Sequence, residues 1–222
     1  MGLENSKNLE EIKADLLRLI TNKKNYLIGI SGVDCSGKTT LSKDLFDFLL
    51  DHNINTYLLS GDDFLFDRET RYTNKNQIQG YYNESFDYEK MFHELIFPAI
   101  NSITFSREMD HLDWQSNKMI SREFIFQSPF VLILEGVFLF KEQYREYFDY
   151  KVWLDIPFKD ALKLAFQRTR DLEYYGDKDT IMKRYTERFY PTQLYHILKD
   201  KPDEFSDANV NLSFGDYVVA NS

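Results

Sequence analysis

Short runs of apolar residues alternate along this chain with longer segments of helical periodicity. The apolar runs predict four buried strands and a fifth at an edge: 26–30, 56–60, 131–136, 150–154 and 210–212. Apolar positions three and four residues apart predict helices over 8–21, 40–50, 87–100, 157–170 and 180–198. Strands that alternate with helices favour an α/β fold with a mainly parallel, doubly wound five-stranded sheet and flanking helices.

The remaining segments lack a clear helical period. Residues 65–85 are polar and rich in tyrosine, which predicts a long functional loop. Apolar and polar residues alternate loosely over 102–126, which predicts an antiparallel hairpin. Residues 171–180 are polar, and Pro191 is expected to break the last helix locally. A length of 222 residues suits one core, so we predict a single domain over 1–222.

A phosphate-binding pattern lies between the first predicted strand and the following helix. The sequence G-V-D-C-S-G-K-T satisfies the G-x-x-x-x-G-K-[ST] spacing, in which glycines let backbone N–H groups surround a phosphate. The lysine can reach the β- and γ-phosphates, and the threonine hydroxyl can bind Mg²⁺. Cys35 is interpreted as a small residue that fits the loop, with a reactive thiol as the alternative. The predicted nucleotide-contacting residues are Gly32, Val33, Asp34, Cys35, Ser36, Gly37, Lys38, Thr39 and Thr40.

Carboxylates follow two of the predicted strands, where the ligand site of such a sheet is expected. Asp62 and Asp63 come directly after the second strand, so one of them is a candidate general base, and capping of a turn is the alternative. Glu135 closes an apolar strand and needs a partner, either a hydrated Mg²⁺ or a structural Lys or Arg.

Arginines cluster after the fourth strand. They can close over a transferred phosphate as a lid, and a solvated helix face is the alternative. Arg170, which ends its predicted helix, is the best candidate among Arg168, Arg170, Arg184 and Arg188. The four histidines show no spacing typical of metal ligands.

Composition excludes several other functions. The net charge of −9 argues against a nucleic-acid binder, which needs a basic face. No run of eighteen apolar residues is present, so no membrane span is expected. A single cysteine allows no internal disulfide, and a cytoplasmic protein is the simplest interpretation.

Over about residues 24–212 the chain resembles the uridine kinase and phosphoribulokinase-like group of P-loop kinases, which includes nicotinamide riboside kinases. The resemblance implies a P-loop NTPase fold with a small hairpin and a helical lid at about 168–190, the use of ATP and Mg²⁺, and a homo-oligomer as in many members. S-G-D-D-F is similar to the motif with the catalytic base, which implies that role for Asp62. V-L-I-L-E-G implies Glu135 at the magnesium, and F-Q-R-T-R-D implies Arg168 and Arg170 in the lid. Lys38, Asp62 and Arg170 are the predicted catalytic residues.

The acceptor site is expected in the loop and hairpin of about 61–126. Residues Y-Y-N-E-S-F-D resemble the segment that contacts a nucleoside, but Leu112 and Asn117 depart from the family's base-reading pattern. Uridine or cytidine is the first acceptor considered, followed by nicotinamide riboside, a sugar or a pantothenate-like alcohol. A non-catalytic nucleotide switch is a further alternative, which an acid such as Asp62 argues against. The predicted acceptor residues are Asp62, Phe64, Tyr82, Phe86, Asp87, Asp113, Trp114, Arg168 and Arg170.

Overall fold

The computed structural model of the protein describes residues 5–21, 24–113 and 116–213, and within them a five-stranded parallel sheet forms the centre. The strands are β1 Tyr26–Gly32, β2 Thr56–Ser60, β3 Thr104–Asp113, β4 Lys118–Gln127, β5 Val131–Gly136, β6 Tyr150–Asp155 and β7 Ala208–Asn211. The central sheet has the order β2-β5-β1-β6-β7, and each of its neighbouring pairs is parallel. This confirms the predicted α/β sheet, including its fifth strand at an edge.

Helices cover both faces of this sheet. Their bounds are α1 Leu9–Leu19, α2 Lys38–Asp51, α3 Arg68–Arg71, α4 Gln77–Glu84, α5 Tyr88–Lys90, α6 Phe97–Ile100, α7 Phe158–Ala165, α8 Thr169–Tyr175, α9 Lys178–Arg184 and α10 Tyr190–Asp200. Alternate residues of a strand point to opposite faces. Leu27 and Leu132 therefore lie in one apolar core, whereas Ile28 and Ile133 lie in the other with side chains of α1 and α2. Burial on both faces explains why the sequence of these strands is continuously apolar.

The predicted hairpin is a separate two-stranded antiparallel sheet of β3 and β4. Phe124 and Phe126 of β4 are buried against the core, whereas Ile125 between them and Met119 are exposed. One face of the hairpin therefore packs on the domain and the other faces solvent.

The prediction of a long loop over 65–85 is wrong, because this segment contains α3 and α4. Side-chain caps stabilise both short helices: Asp67 accepts a hydrogen bond from the N–H of Thr70 (2.8 Å), and Asn76 accepts from the N–H groups of Ile78 and Gln79 (both 3.1 Å). The helix predicted over 157–170 ends at Ala165, and much of the polar stretch after it is α8. Helices of four to eight residues have too few turns to show a clear apolar period.

Pro191 does not break its helix. A π-helical turn, Tyr185–Phe189, joins α9 to α10, so the helical path is continuous over 178–200. A second π-helical turn, Met91–Ile96, precedes Pro98 in the same way. A π turn shifts the hydrogen-bond register by one residue, which accommodates a proline that has no N–H to donate.

Among the residues that the structure describes, no helix has both the length and the apolar character needed to cross a membrane.

Candidate active site

The phosphate-binding pattern forms a tight loop between β1 and the N-terminus of α2. Gly37 has a φ of 85°, and a Cβ at Gly32 would lie 2.5 Å from the carbonyl oxygen of Leu154, so both positions need glycine. The Nζ atom of Lys38 donates to the carbonyl oxygens of Gly32 (3.2 Å) and Val33 (2.8 Å). The loop is thus folded around its own lysine, at the positive end of a helix of 14 residues.

The predicted nucleotide-contacting residues divide into two groups. Val33, Ser36 and Gly32 are buried, and Val33 belongs to the apolar core, so only its backbone can face a phosphate. The others line an open cleft above the loop: Asp34, Cys35, Gly37, Lys38, Thr39 and Thr40. We call this cleft the donor cleft.

Two carboxylates line the donor cleft opposite the loop, namely Asp62 and Glu135. Glu135 is the second-last residue of β5 and pairs with Ser60 of β2, and the Ser60 hydroxyl donates to Oε1 of Glu135 (2.7 Å). The same hydroxyl accepts a hydrogen bond from the N–H of Asp62 (3.3 Å) and so caps the 3₁₀ turn Gly61–Phe64. Ser60 therefore fixes both acids relative to each other, a role that the sequence analysis did not assign.

The aspartate pair separates in the structure. Asp62 faces the donor cleft, whereas Oδ2 of Asp63 lies 3.4 Å from Nη1 of Arg122 on the hairpin. Burial raises the pKa of Asp63, although Arg122 and His111 oppose this effect. Asp62 alone of the two is thus placed to serve as a base beside the phosphate loop.

A second cleft adjoins the first and also includes Asp62. Its other lining residues are Asp34, Leu65, Arg71, Tyr72, Tyr81, Ser85, Phe86, Arg168, Tyr174, Tyr175, Tyr185, Arg188 and Phe189. This cleft is open to solvent, and both polar and apolar side chains line it. We call it the acceptor cleft, and Asp34, Asp62 and Arg168 line both clefts.

Tyr82 does not reach the acceptor cleft. Its side chain is buried and donates to Oδ2 of Asp200 (2.5 Å), whereas its neighbour Tyr81 lines the cleft and donates to Oδ2 of Asp34 (3.1 Å). Consecutive residues of a helix point about 100° apart, so only one of the pair can face the site. Gln193 of α10 also donates to Oδ2 of Asp34. Burial raises the pKa of Asp34, and the charge of Asp62 raises it further, whereas the charge of Lys38 lowers it.

Other predicted acceptor residues have structural contacts instead. Phe64 is buried and stacks on Phe124 of the hairpin, with ring centroids 6.4 Å apart. Asp87 caps α5 by accepting from the N–H of Lys90 (3.1 Å), and Asp113 accepts from the hydroxyl of Ser116 (2.5 Å). None of these three lines the acceptor cleft, whereas the predicted acceptor residues Asp62, Phe86 and Arg168 do.

Of the two predicted lid arginines, Arg168 contacts the phosphate loop. Nη1 of Arg168 donates to Sγ of Cys35 (3.2 Å), and the same sulfur lies 3.2 Å from the hydroxyl of Tyr185. The backbone of Arg170 lies in the first turn of α8, not at the C-terminal end of the preceding helix as predicted. The Arg170 side chain and Trp114 lie outside the described residues.

The donor cleft has ligands that suit magnesium bound together with a nucleotide. In the described ranges no group of three or more His, Cys, Asp or Glu residues could hold a metal ion. Mg²⁺ commonly takes one or two protein ligands and completes its octahedron with phosphate oxygens and water. The exposed Thr39 and the carboxylate of Glu135 fit such a site, since both line the donor cleft.

Comparison with known proteins shows which family this chain belongs to. The model of the phosphoribulokinase/uridine kinase family matches residues 27–212. The chain belongs to this family. It is therefore an ATP-dependent kinase of the uridine kinase type.

Individual relatives of the kinase differ in their named substrates. A uridine kinase of Limosilactobacillus reuteri is 24% identical over 189 residues, which covers 84% of this chain and 83% of that protein. A pantothenate kinase of Streptococcus agalactiae is 27% identical over 209 residues, covering 88% of this chain and 62% of that protein. A solved structure of a possible uridine kinase from Bacillus stearothermophilus has a TM-score of 0.74 at 22% identity, covering 91% of this chain and 96% of the other.

Behind the acceptor cleft of the kinase lies a buried polar cluster of Tyr82, His196 and Asp200. Nδ1 of His196 lies 2.7 Å from Oδ2 of Asp200, the same oxygen to which Tyr82 donates. Burial lowers the pKa of His196, although the hydrogen bond to Asp200 opposes this effect. The imidazole is thus held neutral at a pH where an exposed histidine would begin to bind a proton.

This cluster predicts acid sensitivity of the kinase. The unfolded chain binds a proton at His196 below a pH of about 6.5, whereas the folded chain binds it only at a lower pH, so this group makes stability fall as the pH drops below about 6.5. The contribution of one group has a slope of at most about 1.4 kcal/mol per pH unit. Urea unfolding at several pH values should give a shallower pH dependence for His196→Gln than for the native chain. Parallel curves would show that His196 titrates normally in the folded protein.

Proposed function

We propose that the kinase transfers the γ-phosphoryl group of ATP to a hydroxyl of a small-molecule alcohol, with Asp62 as the general base. The observation that carries this proposal is the position of Asp62, which lines both the donor cleft and the acceptor cleft. A carboxylate at that junction can accept the hydroxyl proton as the alcohol oxygen bonds to phosphorus and ADP leaves.

The other polar side chains have electrostatic roles in this proposal. Lys38 neutralises charge on the β- and γ-phosphates, and Arg168 and Arg170 stabilise the phosphoryl group during transfer. Thr39 and Glu135 hold Mg²⁺, with Ser60 orienting the carboxylate. When bound, Mg²⁺ neutralises phosphate charge and fixes the phosphate geometry.

Two classes of acceptor are candidates. A nucleoside such as uridine or cytidine is supported by the motifs and by the relatives called uridine kinases. An alcohol with a charged group, as the pantothenate kinase relatives indicate, is supported by the arginines that line the acceptor cleft.

An acceptor screen tests the function directly. ADP release is measured with ATP and Mg²⁺ against uridine, cytidine, nicotinamide riboside, small sugars and pantothenate. We expect release that requires both one acceptor class and Mg²⁺, and a phosphorylated acceptor detected by mass spectrometry. ADP release that is independent of every acceptor, or absent throughout, would contradict the proposal.

A further inference from the structure

Three arginines surround one tyrosine ring beside the acceptor cleft. The guanidinium carbon lies 4.4 Å from the centroid of the Tyr72 ring for Arg188, 4.9 Å for Arg184 and 5.9 Å for Arg71. Tyr72, Arg71 and Arg188 line the same cleft as Asp62. Positive charge is therefore concentrated in the cleft that contains the proposed base, although the whole chain has a net charge of −9.

Arg188 is the most buried of the three, with only 2% of its surface exposed. It donates to Oε1 of Gln77 (2.7 Å), to the carbonyl oxygen of Arg71 (2.8 Å) and to the hydroxyl of Ser85 (3.3 Å). All three acceptors are neutral. A buried charge is costly unless an opposite charge pairs with it, so hydrogen bonds to neutral groups leave this guanidinium only partly compensated.

Several donors of this cluster have no partner. Nε of Arg188, and Nε and Nη2 of Arg71, are buried without a hydrogen-bond acceptor. Among the side chains that the structure describes, which exclude those of Arg170 and Asp171, no carboxylate forms an ion pair with Arg71, Arg184 or Arg188. Burial lowers the pKa of Arg188, and the charges of Arg184 and Arg71 lower it further. Tyr72 and Tyr81 raise this pKa and so partly offset the effect. The cluster thus has the charge and the unused donors to bind an anion.

We propose that the acceptor alcohol carries a carboxylate or a phosphate, which Arg71 and Arg188 bind while the reacting hydroxyl lies at Asp62. This inference rests on the kinase function proposed above and specifies its substrate class. The planar fork of arginine matches the paired oxygens of both anions. A neutral nucleoside offers no group of this charge, so it would leave the arginines uncompensated.

Matched acceptor pairs separate the effect of the anion from that of the hydroxyl. The pairs are glycerate with glycerol, pantothenate with panthenol, and ribulose 5-phosphate with ribulose, each measured for ADP release and for binding by calorimetry. We expect the anionic member of at least one pair to have a Kd and a KM about 10–100-fold lower, the range of one or two charge-assisted hydrogen bonds. The pair that responds identifies the anion as carboxylate or phosphate. Equal values within every pair would overturn the inference.

Arg71→Gln is the decisive variant, since Arg188 also joins three segments and its loss could disturb folding. We expect Arg71→Gln to raise the KM and Kd of the anionic member about 10–100-fold and to leave those of the neutral member within about twofold. Arg107→Gln is the matched control, because it removes the same charge from the hairpin, where Arg107 pairs with Glu94 (2.6 Å). This control should bind and turn over the anionic member like the native chain.

The outcomes distinguish the two proposals. Turnover of neutral nucleosides alone, or an Arg71→Gln variant with unchanged affinity for the anionic member, overturns the anionic acceptor and leaves the kinase function standing. Absence of ADP release with every acceptor contradicts the kinase function. Calorimetry then still tests the anion site. Weaker binding of an anionic member to Arg71→Gln than to the native chain supports the site, and equal binding to both overturns it.

Discussion

Asp62→Asn is expected to lower kcat about 10²–10⁴-fold, the contribution typical of a positioned general base. The amide keeps the size of the carboxylate, and the cap from Ser60 is made to the backbone N–H of residue 62, so the turn Gly61–Phe64 should persist. The affinity for ATP should change little, because the proton is transferred from the acceptor. Steady-state kinetics and nucleotide binding by calorimetry measure the two effects separately.

Asp63→Asn is the matched control for this experiment. It removes an identical charge from the adjacent residue, whose carboxylate faces Arg122 on the hairpin rather than the donor cleft. We expect kcat within about twofold of the native value, because Asp63 lines neither the donor cleft nor the acceptor cleft. Equal turnover of native enzyme and Asp62→Asn, or equal losses in both variants, would refute the assignment of Asp62 as the base.

Lys38→Met should lower kcat about 10²–10³-fold with every acceptor, the loss typical when one donor to developing charge is removed. Methionine retains most of the aliphatic chain but has no ammonium group, so it can neutralise no phosphate charge. It also loses the two hydrogen bonds to Gly32 and Val33, so thermal unfolding must accompany the kinetics.

Lys43→Met provides the comparison, because Lys43 is exposed and lies on the same helix beyond the phosphate loop. It should leave the rate unchanged. Comparable turnover by Lys38→Met and the native protein would contradict the role of the loop in catalysis.

The sheet and the phosphate loop could be predicted because their constraints are local. Strands buried on both faces are continuously apolar, as in Val131–Gly136, and the loop requires glycine and lysine at fixed spacing. Asp62 and Glu135 could be proposed because both lie at the carboxyl ends of strands in one parallel sheet, and such ends share an edge.

The acceptor side depends on contacts between segments far apart in sequence. Arg188 and Arg71 are 117 residues apart and meet only in the folded chain, so no local pattern indicated their cluster. Whether Tyr81 or Tyr82 faces the acceptor cleft depends on the rotation of α4 about its axis. The tyrosine-rich sequence of α4 shows no clear apolar period, so this helix could not be predicted from periodicity. Asp67 and Asn76, whose side chains cap the two short helices, are the signal in the sequence that indicates α3 and α4.

The π-helical turn Tyr185–Phe189 has a consequence for how insertions and deletions would act on this kinase. A π turn is equivalent to one extra residue within an α-helix, and it rotates everything on one side relative to the other by about 100°. Because of this rotation, Arg188 faces the acceptor cleft while His196, on the same helical path, faces Asp200 in the buried cluster. Loss of a single codon in this turn would restore a regular helix and misalign one of the two ends, a far larger change than most substitutions at the same positions.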